Sequence, residues 1–210
     1  MIGNVLYVQY GCGFSAPKKW RNFDASPTLR FERLPIIGKL YTKNDSRFPH
    51  NVEFGDIVSG LPISDNSCKG VYCSHVLEHL SLDDFRLALK NTYKILKTGG
   101  YFRLVLPDLE YSIINYVNDL SPDAAYDFLH ETSLGREKRP RGLKGFVSEW
   151  FGNSQHFWMW DYKSMTQELE NIGFIEIRRA SFGDGADTMF RNIESEERWK
   201  NCLGIECKKA

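Results

Sequence analysis

The stretch "GVYCSHVLEHLSLDDFRLALKNTYKILKTGGYFRLVL", residues 70 to 106, constrains this chain more than any other. It reads as strand, helix, strand. Gly70–Ser74 is a short apolar run with the β-branched and aromatic residues that suit a sheet. Ser81 is an N-cap, and Asp84 stands three residues on in a partial capping box. Phe85, Ala88, Leu89, Thr92 and Leu96 then share one face at the 3.6-residue period. Gly99–Gly100 is read as the left-handed stop, and Tyr101–Leu106 as a strand closed by Pro107. Strands alternating with helices make a mostly parallel sheet covered on both faces.

The flanking sequence extends the pattern. Val5–Tyr10, Asn22–Asp24 and Asn51–Phe54 read as strands before the central unit. Helices are expected over Leu109–Val117, over Pro122–Glu131, and over Tyr162–Ile172 with Gly173 as its stop. Phe174–Ala180 and Asn201–Lys208 read as the last strands, and residues 133–160 as irregular. The 210 residues suffice for one domain with a full core and not for two.

Charge and cysteine usage remove several classes. Lys+Arg and Asp+Glu are both 27, so the formal net charge is zero. That balance disfavours a protein whose main task is gripping nucleic acid by its phosphates. The five cysteines are odd in number and form no C-x-x-C pair, so neither a disulfide framework nor a cysteine zinc site is indicated. The opening "MIGNVLYVQY" lacks a basic leader region and is read as a strand. No run reaches the ~18 apolar residues of a membrane span. The expectation is a reduced, soluble, cytoplasmic protein with no membrane partner.

In open α/β sheets the ligand sits at the carboxyl ends of the strands. The residues there are Gly11–Phe14, Asp24, Asp56, Ser74–His79 and Pro107–Asp108. Gly11 and Gly13 let the backbone approach a ligand. The dinucleotide fingerprint wants a third glycine; that position is Ala16, followed by Pro17, so a NAD or FAD site is not supported. Asp24 ends a short strand and is placed to accept both hydroxyls of a ribose. The alternative is a surface aspartate at a Ser26–Pro27 turn. Asp56, in "VEFGDI", suits an adenine amino group with Ile57 against the ring, or a plain loop.

Taken in order, the glycine loop, the acidic residue, "GDI", "LPISDNSCKGVYCSHVLEHL" and "ILKTGGYFRLVLPD" resemble the class I methyltransferases that use S-adenosylmethionine. The chain is closest to a small, type-11-like group whose first motif is compressed to a G-C-G turn and a W-x-N-x-D strand. The resemblance covers residues 5 to 110 and continues more loosely through "HFWMWDYKSMTQELENIGF". It implies a Rossmann-like, doubly wound sheet of seven strands, the last antiparallel, in a single domain. It implies S-adenosyl-L-methionine as cofactor. Gly11 and Gly13 would face its methionine part, Asp24 its ribose, Asp56 and Ile57 its adenine, and Ser74 and His75 its sulfonium, with Tyr10 and Cys12 also among the cofactor-binding residues. Only ten residues separate Gly13 from Asp24, so the usual first helix is short or missing. Covering of the cofactor is assigned to a later segment.

"HVLEH" also fits H-x-x-E-H, a zinc peptidase pattern. That reading needs a helix through the motif and a third ligand, and no metal is assigned. His79 and His75 are the candidate bases for an acceptor hydroxyl, with His156 and Asp108 behind them. Each alone could equally be structural. Arg136, Lys138, Arg139, Arg141 and Lys144 form either a solvated loop or an edge for an anionic acceptor such as a nucleotide-linked sugar. Trp150, Phe151, Phe157, Trp158 and Trp160 are either core or a ring-lined cover over the acceptor. The expected function is methyl transfer, to oxygen, on a small-molecule or sugar-like acceptor, with residues 133–160 as a covering insertion. His156, Trp158, Arg139 and Arg141 are the expected acceptor contacts. The alternatives are an inactive S-adenosylmethionine-binding partner protein and, behind it, a zinc-dependent hydrolase.

Overall fold

A computed structural model describes residues 6–35, 47–135 and 155–210 of the chain. Seven strands form one sheet: β1 Leu6–Tyr10, β2 Arg21–Asp24, β3 Val52–Phe54, β4 Cys68–Ser74, β5 Leu96–Pro107, β6 Phe174–Ala180 and β7 Cys202–Lys209. Their order is β3-β2-β1-β4-β5-β7-β6. The pairs from β3 across to β5 are parallel, and β7 runs antiparallel to both β5 and β6. The order reverses between β1 and β4, which is the switch point where such sheets open a crevice. The mostly parallel, seven-stranded, single-domain expectation holds. Among the described residues no helix is long and apolar enough to cross a membrane, and all five cysteines are free.

The helices are α1 Pro27–Glu32, α2 Leu82–Ile95, α3 Leu109–Asn118, α4 Ala124–Glu131 and α5 Tyr162–Ile172. Their ends follow from local chemistry. Ser81 Oγ accepts from the Asp84 amide at the start of α2. Asp161 and Ser164 form a reciprocal capping box at the start of α5, and Gly173, in the left-handed region, ends it. One alternative reading and one expectation need correction. The Ser26–Pro27 turn is the start of α1, with Ser26 as its cap. Helix α2 stops at Ile95, short of Gly99. Leu96 already pairs with Cys68, and the ladder then slips before Gly70 meets Tyr101. Gly99, at φ 72°, lies within this irregular start of β5.

The two faces of the sheet are covered differently. On one face Val8, Val71, Cys73, Phe102, Leu104 and Leu106 pack with Phe85, Ala88 and Leu89 of α2 and Met165 and Leu169 of α5. On the other, Tyr7, Tyr72 and Val105 pack with Trp20, Phe190, Ile193 and Trp199. No helix is found between β1 and β2: residues 11–20 are turns and coil. The connection between β6 and β7, with 3-10 turns at Thr188–Asn192 and Glu196–Arg198, fills that face instead. Buried Arg103 of β5 holds it there. Its guanidinium meets Glu194 and Glu206, donates to the Ser181 carbonyl at 2.7 Å, and stacks 4.5 Å over the Trp199 ring.

Candidate active site

The glycine loop leaves β1 at the switch point. Gly11 and Gly13 have φ of 63° and 53°, a region that side chains disfavour. A Cβ on Gly11 would stand 2.1 Å from Val76 Cγ2, whereas one on Gly13 would meet nothing within 4 Å. The loop therefore packs tightly on one side and faces open space on the other. Asp24, at the end of β2, closes it: one carboxylate oxygen accepts from the Gly13 amide and the other from the Ser26 amide, both at 2.8 Å. Each oxygen keeps a lone pair, so the carboxylate can still accept two ribose hydroxyls. Asp56 lies beyond β3 and accepts from the Val58 amide and the Ser59 hydroxyl. The open glycine backbone and the acidic strand end fit an S-adenosyl group.

Other expected contacts point elsewhere. Tyr10 is buried, with its hydroxyl on Thr92 Oγ1 at 3.2 Å, so its ring belongs to the core. Cys12 packs with Leu29, Phe48 and Val52, and burial, with Asp24 nearby, pushes its thiol up to about 12. Ile57 is also core. These three can reach a cofactor through backbone or ring edges only. Ser74 and His75, at the end of β4, are engaged from the β6–β7 connection. Arg198 donates to Ser74 Oγ at 2.9 Å and to the Ser74 carbonyl at 2.6 Å. No sequence signal marked Arg198, which sits in an ordinary charged run.

The motif "HVLEH" is not an α-helix. His75 leaves β4 with φ of 54°, a costly conformation for a residue with a Cβ. Leu77–His79 then make a single 3-10 turn. Glu78 is 0% exposed, and neither of its carboxylate oxygens has a hydrogen-bond partner. The nearest cationic groups are His75 Nδ1 at 3.3 Å and His79 Nε2 at 3.9 Å from Oε1. His75 also places Nε2 3.0 Å from the Arg198 carbonyl. Burial lowers His75, but Cys202, Glu78 and that carbonyl outweigh it and push it up to about 10.

A strap at 155–160 closes over this turn. The Glu78 carbonyl accepts from the Phe157 and Trp158 amides. His79 Nδ1 lies 2.9 Å from the Gln155 carbonyl, so that nitrogen carries the proton and the neutral ring has its lone pair on Nε2. Trp160 stacks on Phe85 at 4.2 Å and bridges to Asp108. The strap thus brings His156 beside His79, with ring centroids 5.0 Å apart. His156 Nδ1 is buried without a partner, and burial holds the ring below its usual pKa. Phe157 and Trp158 remain 63% and 43% exposed. Asp108 is otherwise occupied: it caps α3 through the Glu110 amide and meets Arg179. Arg139 and Arg141 lie outside the described residues. A cleft of ≈ 500 Å³ lies beside this region, between Phe182, Trp199 and Cys202, and Cys202 Sγ is 3.8 Å from His75 Nε2.

Comparison with known proteins bears on the chemistry and the fold separately. Residues 33–104 match the family model described as a methyltransferase domain. The match begins downstream of the glycine loop and Asp24, where the first motif is compressed. A search of curated proteins found no significant match. Among solved structures, the chain is similar to a SAM-dependent methyltransferase from Archaeoglobus fulgidus, at 17% identity over 99% of this chain and 87% of that one, with a TM-score of 0.52. It is also similar to a chain of the complex between the Haloferax volcanii Trm112 methyltransferase activator and a methyltransferase, at 17% identity over 98% and 82% of the two chains, with a TM-score of 0.50. The strand order is that of the class I methyltransferase fold, and within it residues 33–104 match a methyltransferase domain.

Proposed function

We propose that the chain is an S-adenosylmethionine-dependent methyltransferase that transfers the methyl group to an oxygen of a small-molecule or sugar-like acceptor, anionic in character. The observation that carries this reading is His79 at the carboxyl end of β4, with Nδ1 held on the Gln155 carbonyl and Nε2 3.9 Å from the fully buried Glu78 carboxylate. A hydroxyl must lose a proton as it is methylated, and a histidine whose protonated ring would lie beside a carboxylate is suited to take it.

S-adenosylmethionine, when bound, supplies an electrophilic methyl group. In this reading the Gly11–Gly13 backbone holds its amino-acid end, Asp24 the ribose, and Asp56 with the edge of Ile57 the adenine. Ser74 bounds the site with Arg198 behind it. His79 is the base, because Nδ1 is held on the Gln155 carbonyl and Nε2 is left to accept. His75 has acceptors at both nitrogens, so its role is to position and neutralise Glu78. His156 and the exposed rings of Phe157 and Trp158 form the acceptor edge, where a sugar face can stack. Arg139 and Arg141, in the 133–160 insertion, supply an anion-binding margin. Most of the rate comes from holding donor and acceptor in line.

The test is turnover on a panel of hydroxylated acceptors, nucleotide-linked sugars included, read as S-adenosylhomocysteine formed. Hydroxyl acceptors should be methylated. His79→Gln should lower kcat by roughly 10²–10⁴ while leaving S-adenosylhomocysteine affinity unchanged. Changing Arg139 and Arg141 to alanine should raise KM for an anionic acceptor. Turnover confined to amines, or an unchanged kcat in His79→Gln, would overturn the assignment.

A further inference from the structure

We propose that Glu78, His79 and His156 form a binding site for one divalent first-row transition metal ion, zinc being the fitting probe. One atom from each residue can be chosen so that all three lie within 4.8 Å of one another. In a tetrahedral zinc site with bonds of about 2.0–2.1 Å, ligand atoms stand about 3.3 Å apart. Closing the set needs the ligand atoms to approach one another by up to about 1.5 Å, shared between a short turn and a strap.

Three further observations point to a ligand. The Glu78 carboxylate is fully buried: Oε1 faces His75 Nδ1 at 3.3 Å, and Oε2 has no hydrogen-bond partner, an incompletely satisfied state for a buried charged group. His156 Nδ1 is likewise buried and unpaired. His79 has Nδ1 on the Gln155 carbonyl, which leaves the lone pair on Nε2, 3.9 Å from Glu78 Oε1. A backbone carbonyl fixing the far nitrogen of a ligating imidazole is a usual outer contact of metal sites. Two imidazoles and a carboxylate are a donor set used by zinc and by iron(II), and three protein ligands leave a coordination position open. The histidine side chains are partly exposed while Glu78 lies behind them, so a cation has a path in.

This is not the H-x-x-E-H arrangement considered from sequence. His75 is excluded as a ligand because both of its nitrogens face other acceptors, and the further ligand comes from His156. The site's use rests on the acceptor reading: a hydroxyl placed on the cation releases its proton to solvent more readily, and His79 then serves as ligand instead of base. Its existence does not depend on that reading.

The experiment uses the whole chain, stripped with chelator and dialysed against Zn²⁺, with bound metal measured by mass spectrometry. One zinc per chain is expected. His156→Ala and His79→Ala should each weaken binding at least tenfold, while His75→Asn should retain one equivalent. Thermal unfolding of metal-free His156→Ala should match that of metal-free wild type, which separates ligand loss from misfolding. Co²⁺ in the site should give visible bands of a four- or five-coordinate ion without thiolate charge-transfer absorption. No bound zinc, undiminished binding in His156→Ala, or a thiolate band implicating Cys202 would each overturn the proposal. Calorimetry with S-adenosylhomocysteine runs beside it: cofactor binding without zinc defeats the metal site and spares the methyltransferase reading, whereas zinc without cofactor binding supports the site and removes its proposed use.

Discussion

The two faces of the central sheet are built on opposite principles. One is covered by α2 and α5, whose apolar residues recur at the helical period and whose ends carry caps. The other, where no helix joins β1 to β2, is covered by the β6–β7 connection. That segment has two 3-10 turns, a handful of rings, and a buried guanidinium bonded to carboxylates at long sequence distance. With no helix between β1 and β2, this face is filled by the irregular segment. The same segment then reaches the end of β4, where Arg198 holds Ser74 and His75. On this side, covering the sheet and shaping the site are the same task.

Breaking the irregular face should cost most. Arg103→Leu removes the only cation paired, among the described residues, with the buried Glu194 carboxylate, which keeps the Gly183 amide, while Glu206 keeps Arg178; this should destabilise by about 3–5 kcal/mol in urea unfolding. Adding Glu194→Gln should recover much of the loss, because the penalty lies chiefly in that uncompensated charge. If the double variant is no more stable than the single one, packing and not the ion network pins this face. The helical face should yield more locally. Ser81→Ala removes one cap acceptor from α2 and should cost about 1 kcal/mol, read as a small drop in Tm. A loss as large as that of Arg103→Leu would mean the cap carries more than local helix stability.

The same contrast explains what the sequence revealed. Helix α5, Gly173 and β6 stand where they were expected because caps, period and stop are local signals. The α2 end was misplaced because Leu96 satisfies both the helical stripe and the ladder opposite Cys68, and the tertiary pairing prevails. The β6–β7 connection has no period to read: Asp187 finds Tyr7 and Lys69 only in the fold. Arg103 looked like an ordinary polar residue in a strand. At the site, Gly11, Gly13 and Asp24 were legible as strand-end chemistry. His79 and His156 were singled out separately, but the strap that joins them begins at Gln155, 76 residues along the chain from His79. Glu78 was noticed only as a letter in a pattern, since nothing local tells that its carboxylate is buried.

The central claim is that the compressed loop is a working S-adenosyl site closed by Asp24. Titration calorimetry with S-adenosylhomocysteine on wild type and Asp24→Ala tests it most directly. The account predicts binding by wild type and a loss of roughly tenfold or more in the variant, as charge-assisted acceptors for the ribose disappear and the Gly13 amide loses its partner. Absence of binding by wild type at high micromolar ligand, or equal affinity in the two proteins, would contradict it.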